Sequence, residues 1–209
     1  MSLAFMRVDA PGAVARSPME GCAAAAGARF EVRDGWNIAA SFPGAGAPPV
    51  GWADVSHLRK LETILDTEFG TAERRAGAWW CRLTGRRGLV VGGDVEVEGA
   101  VDVTTCWAAL TVVGPRARET IARFCALDLR PALAPPGALR PGSIARQPGI
   151  VICEDLDRYL LLFGWATGEY MWSVVSDAAR HLGGRPLGVD ACNVSTSMGR
   201  QPSRRSKSR

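Results

Sequence analysis

Apolar positions are patterned most sharply after residue 100. Ala108-Ala-Leu-Thr-Val-Val113 is an apolar, β-branched run of strand length, and Gly114-Pro115 ends it. Pro115 suits the first position of a helix, where no amide donor is needed. Ala117, Ile121, Phe124 and Leu127 then recur at helical spacing, which predicts a helix to about Asp128. A proline-rich crossover, Pro131–Pro141, follows. Ser143–Ile152 and Arg158–Phe163 read as an antiparallel strand pair joined at Glu154-Asp155. A helix from about Thr167 to His181 closes the unit, with Gly183-Gly184 as its stop. Strand, helix, strand, strand, helix is most of a ferredoxin-like split β-α-β motif, an α+β arrangement with both helices on one face of an antiparallel sheet.

The first half is patterned less strongly. Residues 1–29 are small and weakly periodic, and read as an extended, flexible arm or a short helix near Met19–Ala26. Phe30–Ala40 reads as a hairpin around Asp34-Gly35. Phe42–Pro49 is a loop by composition. A turn at Asp54-Val-Ser-His57 precedes a strand over Leu58–Leu65. Trp79–Leu83 and Gly88–Val91 read as strands flanking a turn at Thr84-Gly85, Gly92-Gly93-Asp94 as a turn, and Val101–Thr105 as β-branched. The domain is therefore expected over residues 30–192, with a disordered basic tail at 193–209.

Charge refines this division. The chain carries a net +4, but Arg200, Arg204, Arg205, Lys207 and Arg209 all lie in the tail. The remaining 20 bases face 21 acids, so the body has a net charge of −1 and no basic excess to recruit nucleic acid. Of the residues, 47% are hydrophobic, enough for a core, yet no apolar run approaches the roughly 18 residues of a membrane span. No export signal is legible, so a cytoplasmic location is expected. The six cysteines, at 22, 81, 106, 125, 153 and 192, contain no Cys-x-x-Cys and are expected to be free thiols.

The usual catalytic constellations are poorly supported. His57 and His181 are the only histidines, and neither has metal-ligand spacing. No Gly-x-Gly-x-x-Gly opens a helix after a strand, and the four-x Gly-Lys-Ser/Thr loop is missing. Asp54 and Ser56 form a short Asp-x-Ser turn, which suits a backbone brace or the rim of a ligand channel. Trp79 and Trp80 are adjacent on one strand and must point to opposite faces. One of them is a candidate for stacking on a planar ligand or for a subunit contact.

Gly51-Trp-Ala-Asp-Val-Ser-His-Leu58 resembles the Asp-Val-Ser-His segment of glycine-cleavage T-protein domains. Ala109–Arg118 is similar to their Gly-Pro-x-Ala junction, and Gly184–Ala191 to the segment after their closing helix. Cys125-Ala-Leu-Asp-Leu-Arg130 with its crossover resembles the gamma subunit of heterotetrameric sarcosine oxidase. The resemblance spans residues 51 to 191 and implies a T-protein-like fold. It further implies a structural subunit among alpha, beta and delta partners, which would supply FAD or FMN and NAD while the complex oxidises an N-methyl amine. Tetrahydrofolate is the ligand the wider superfamily implies. The family's acidic one-carbon-transfer segment has no counterpart between His57 and Trp107. Its pterin-gripping carboxylate is expected on the Arg158–Phe163 strand, where Leu160 or Leu161 stands instead. Alternatives are a stand-alone folate-binding or aminomethyl-transfer protein, and an unrelated interaction module.

Overall fold

The computed structural model describes residues 13–194. The chain begins with β1 (Ala15–Arg16), α1 (Glu20–Ala25), β2 (Arg29–Arg33), β3 (Trp36–Ser41) and β4 (Gly51–Asp54). It continues through β5 (Lys60–Ile64), β6 (Ala72–Arg75), β7 (Ala78–Thr84), β8 (Arg87–Val91) and β9 (Val101–Asp102). The second half contains β10 (Trp107–Val113), α2 (Ala117–Ala122), β11 (Leu139–Ile144), β12 (Gln147–Asp155) and β13 (Arg158–Gly164). It closes with α3 (Gly168–Arg180), β14 (Arg185–Pro186) and α4 (Val189–Val194).

The principal sheet has the order β11-β12-β13-β10-β4-β14. A second sheet runs β6-β7-β8-β5-β9, and a small one runs β1-β3-β2. Strand β13 alternates two sets of fully buried side chains. Leu161 and Phe163 face a core shared with Met171, Trp172 and Val175 of α3 and Ile121 of α2. Leu160 and Leu162 face a second core, shared with Trp79, Cys81, Leu89 and Val91 of the second sheet. The principal sheet is thus covered by helices on one side and by the second sheet on the other.

The split β-α-β reading holds: β13 lies antiparallel between β10 and β12. The sheet is larger than the pattern suggested. Strand β4 inserts beside β10, and β14 joins it in parallel. Ser143–Ile152 is not one strand. It bends at Ala145 and Arg146, whose φ values of 48° and 63° make a left-handed turn without glycine. Strand β11 therefore starts inside the proline-rich crossover, and Pro141 is tolerated because β11 is an edge strand. Helix α2 is shorter than its periodicity suggested. After Arg123 the chain turns to β11, where Cys125 bridges to Ile144 and the Ala145 amide donates to Phe124 O.

The Asp34-Gly35 turn joins β2 and β3 with both residues at positive φ, as the sequence indicates. For residues 13–29 the flexible-arm expectation is corrected, and the alternative, a short helix near Met19–Ala26, matches α1. Met19 and Ala23 are fully buried in the helix-side core, and β1 pairs with β3. The expected domain end at 192 falls inside α4, and the tail expectation for 195–209 lies outside the described residues. All six cysteines are free thiols. Among the described residues no helix is long and apolar enough to cross a membrane.

Gly188 sets the approach of α4 to β3, since a Cβ there would lie 1.8 Å from Ala40 O. Gly188→Ala is expected to cost at least about 3 kcal/mol, because a backbone atom cannot move aside as a flexible side chain can. Thermal denaturation should show a fall of roughly 6–12 °C for a domain of this size.

Candidate functional site

A cavity of about 400 Å³ lies between the two large sheets, where β7 and β13 begin and β8 and β12 end. That is within the roughly 300–1,000 Å³ range of small-molecule sites. Val55, Leu58, Val91 and Val189 give it apolar walls. Arg74, Trp79, Glu154, Arg158 and His57 supply its polar groups.

Glu154 is the centre of the polar group. Strand β12 shifts register between Cys153 and Asp155 where it pairs with β13, and Glu154 occupies that bulge. A bulged residue leaves the regular alternation of the strand, and its side chain can be re-aimed. Here it meets the second sheet: Trp79 Nε1 donates to Glu154 Oε1 at 2.7 Å. Arg158 Nε donates to Glu154 Oε2 at 2.9 Å, and Arg158 Nη1 donates to Cys192 O at 2.7 Å. Arg74 sits with its guanidinium carbon 5.0 Å from the centroid of the Trp79 ring and 3.8 Å from Glu154 Oε1 at its Nη1. Both carboxylate oxygens therefore already serve internal donors, which satisfies a side chain only 10% exposed.

Of the four sequence candidates, only Trp79 faces this cavity. Trp80 points to the opposite face of the second sheet, against Leu61, Ala78 and Val90, and its indole nitrogen is buried without a partner among the described residues. Asp54 and Ser56 form a buried brace. The Ser56 amide donates to Asp54 Oδ1 at 2.9 Å, and the Ala109 amide donates to Ser56 Oγ at 3.1 Å, fastening the turn to β10. Asp54 lines only a cavity of about 10 Å³, the space of one water. Burial raises its carboxyl above the usual range, opposed by hydrogen bonds from Ser17 and Ser56.

His57, beside the brace, lines both cavities. Burial, with Lys60 adding to it, lowers its imidazole to about 4, so it is neutral at neutral pH. Lys60 is fully buried, and its Nζ donates to Ser56 O at 2.6 Å.

The sequence reading missed Glu154, Arg158 and Arg74. Leu160 and Leu161 face opposite hydrophobic cores, and neither lines the cavity. The Arg158–Phe163 strand carries no carboxylate, and the one at the cavity, Glu154, comes from the neighbouring strand β12. Its signal, Glu154 four residues before Arg158 across a polar hairpin, reads locally as a turn. Among the described residues no three His, Cys, Asp or Glu side chains converge as a metal-ligand set.

No protein-family model matches the sequence, and no curated protein matches it. Solved structures do match by fold. One is a chain of the heterotetrameric sarcosine oxidase from Corynebacterium sp. U-96, solved in complex with pyrrole 2-carboxylate. The TM-score is 0.62 at 17% identity, and the match covers 81% of this chain and 96% of that one. Another is the glycine cleavage system aminomethyltransferase T from Bartonella henselae, with a TM-score of 0.66 at 15% identity. That match covers 85% of this chain but 60% of the transferase, so the chain spans about three fifths of its length. The protein has an α+β, T-protein-like fold.

Lys60 carries a pH signature. Burial lowers its ammonium from 10.5 to about 8, opposed by the charges of Asp54 and Asp102. Between those values the unfolded chain binds the proton more tightly than the folded one, so the contribution of Lys60 to stability rises as pH increases from about 8 to 10.5. Burial pushes the thiols of Cys81, Cys153 and Cys192 up and acts in the opposite direction, so the check is a difference: in urea denaturation the parent should gain stability relative to Lys60→Met across that range. An unchanged slope in the variant would contradict the assignment.

Proposed function

We propose that this chain is a non-catalytic, gamma-type subunit of a flavin-dependent assembly of the heterotetrameric sarcosine oxidase kind. Partner subunits of the alpha, beta and delta types would carry FAD or FMN and NAD and oxidise an N-methyl amine. This chain would support their assembly or shape an internal passage.

The observation that carries the reading is coverage. The match takes in almost all of one separate chain from a four-chain enzyme, but leaves two fifths of the single-chain transferase unmatched. A domain that corresponds to a whole subunit is more naturally a subunit than a truncated enzyme. The chemistry of the cavity supports this. A pterin edge offers paired donors and needs a charged acceptor turned towards it, and the bonds from Trp79 and Arg158 already fix the orientation of Glu154. The six free thiols accord with a reducing, cytoplasmic setting.

A second reading is favoured by the cavity itself: an aromatic wall and a buried carboxylate suit a stand-alone, tetrahydrofolate-binding protein. Calorimetric titration separates the two. The isolated chain is expected to bind neither tetrahydrofolate nor its ring fragment, 6-methyltetrahydropterin, with micromolar affinity. Such binding to the ring fragment would promote the folate reading. Affinity purification from the native host should recover flavin-containing partners in fixed stoichiometry. Recovery of a free monomer would sink the subunit reading.

A further inference from the structure

We infer that the cavity between the two sheets is a binding site for a small organic monocarboxylate, held on this chain by the guanidiniums of Arg158 and Arg74. Each Glu154 oxygen accepts one internal donor, Trp79 Nε1 on Oε1 and Arg158 Nε on Oε2, which fixes the carboxylate within the cavity. The two guanidiniums keep donors that no described residue takes. Arg158 uses Nε on Glu154 and Nη1 on Cys192 O, and Nη2 has no partner among the described residues. Arg74 is held only by a 3.8 Å approach to Glu154 and by the face of Trp79. Its side chain is 56% exposed, so it can turn towards an incoming group without unpacking the core.

The other acid at the cavity does not compete for these donors. Asp155 lies exposed at the rim, and its Oδ1 accepts the Leu156 amide. A guanidinium with a free N–H edge is matched to a carboxylate, whose two oxygens accept in parallel. The ligand's body is set by the walls: aliphatic side chains and the Trp79 indole favour an apolar or aromatic group over inorganic phosphate.

This inference concerns the isolated chain and stands apart from the assembly reading, which is tested by partner recovery. The test is a titration of the full chain with benzoate, followed by the indole N–H resonances in a nitrogen-15 correlation spectrum. Trp79→Phe assigns the Trp79 signal. Benzoate is expected to shift that signal saturably, with a Kd on the order of 1 mM, the scale of a fragment-sized ligand. Benzylamine and inorganic phosphate should leave it in place. Arg74→Gln, at an exposed position, should weaken benzoate by about tenfold while the spectrum shows an intact fold. Arg158→Gln should abolish the shift where the variant folds. An unsaturable or missing benzoate shift would overturn the proposal. So would equal shifts with benzylamine or phosphate, or undiminished binding by folded Arg74→Gln.

Discussion

Strand β13 places Tyr159-Leu-Leu-Leu-Phe163 in succession, and each of these side chains is at most 2% exposed. A strand's side chains alternate, so burying all five requires cover on both faces of the sheet. At roughly 25 cal/mol per Å² of apolar surface, each fully buried Leu or Phe contributes about 1.5–3 kcal/mol before entropy is charged against it. One layer of cover is helical, from α2 and α3, and packs on Leu161 and Phe163. The other is the second sheet, which packs on Leu160 and Leu162. The three-layer architecture follows from this requirement.

Where the two sheets diverge beyond that dry core, the side chains at the strand ends become polar. The bulge at Glu154 puts a carboxylate there that regular pairing would have aimed elsewhere. Trp79 and Arg158 answer it from two different strands, 75 residues apart and four residues away in sequence. Such a buried ion pair roughly breaks even against desolvation. Its main effect is geometric: it holds the second sheet to the end of β12 and keeps the cavity open between them. The Asp54-Ser56 brace acts similarly on β10, with Lys60 tying the start of β5 to the same turn.

The fold alone does not assign a reaction, because one architecture hosts many chemistries. The match takes in about three fifths of the aminomethyltransferase chain. In this chain's cavity the carboxylate accepts two internal donors, two guanidiniums retain donors that no described residue takes, and the half-buried imidazole is held neutral. Those free donors are what the proposed monocarboxylate site rests on.

The elements legible in the sequence are those whose information is local. The continuous apolar runs of β10 and β13, the helical spacing of α3 and the Asp34-Gly35 turn each encode their conformation within a few residues. The short motifs around Asp54 and Gly114 pointed to a T-protein-like fold that solved structures share at only 17% and 15% identity. Other features were decided by contacts that no local window contains. Strand β4 exists because β10 and β14 flank it. The glycine-free turn at Ala145-Arg146 is held by the pairing of β11 with β12. Met19 was read as part of an arm or the start of a short helix, and its burial comes from the helix-side core that accepts it. Glu154, read as a turn residue, became the cavity's carboxylate because a bulge aimed it at Trp79. Side-chain period and turn chemistry fix what a segment can form, but the partner that satisfies a buried charge or covers a second face is set only when distant segments meet.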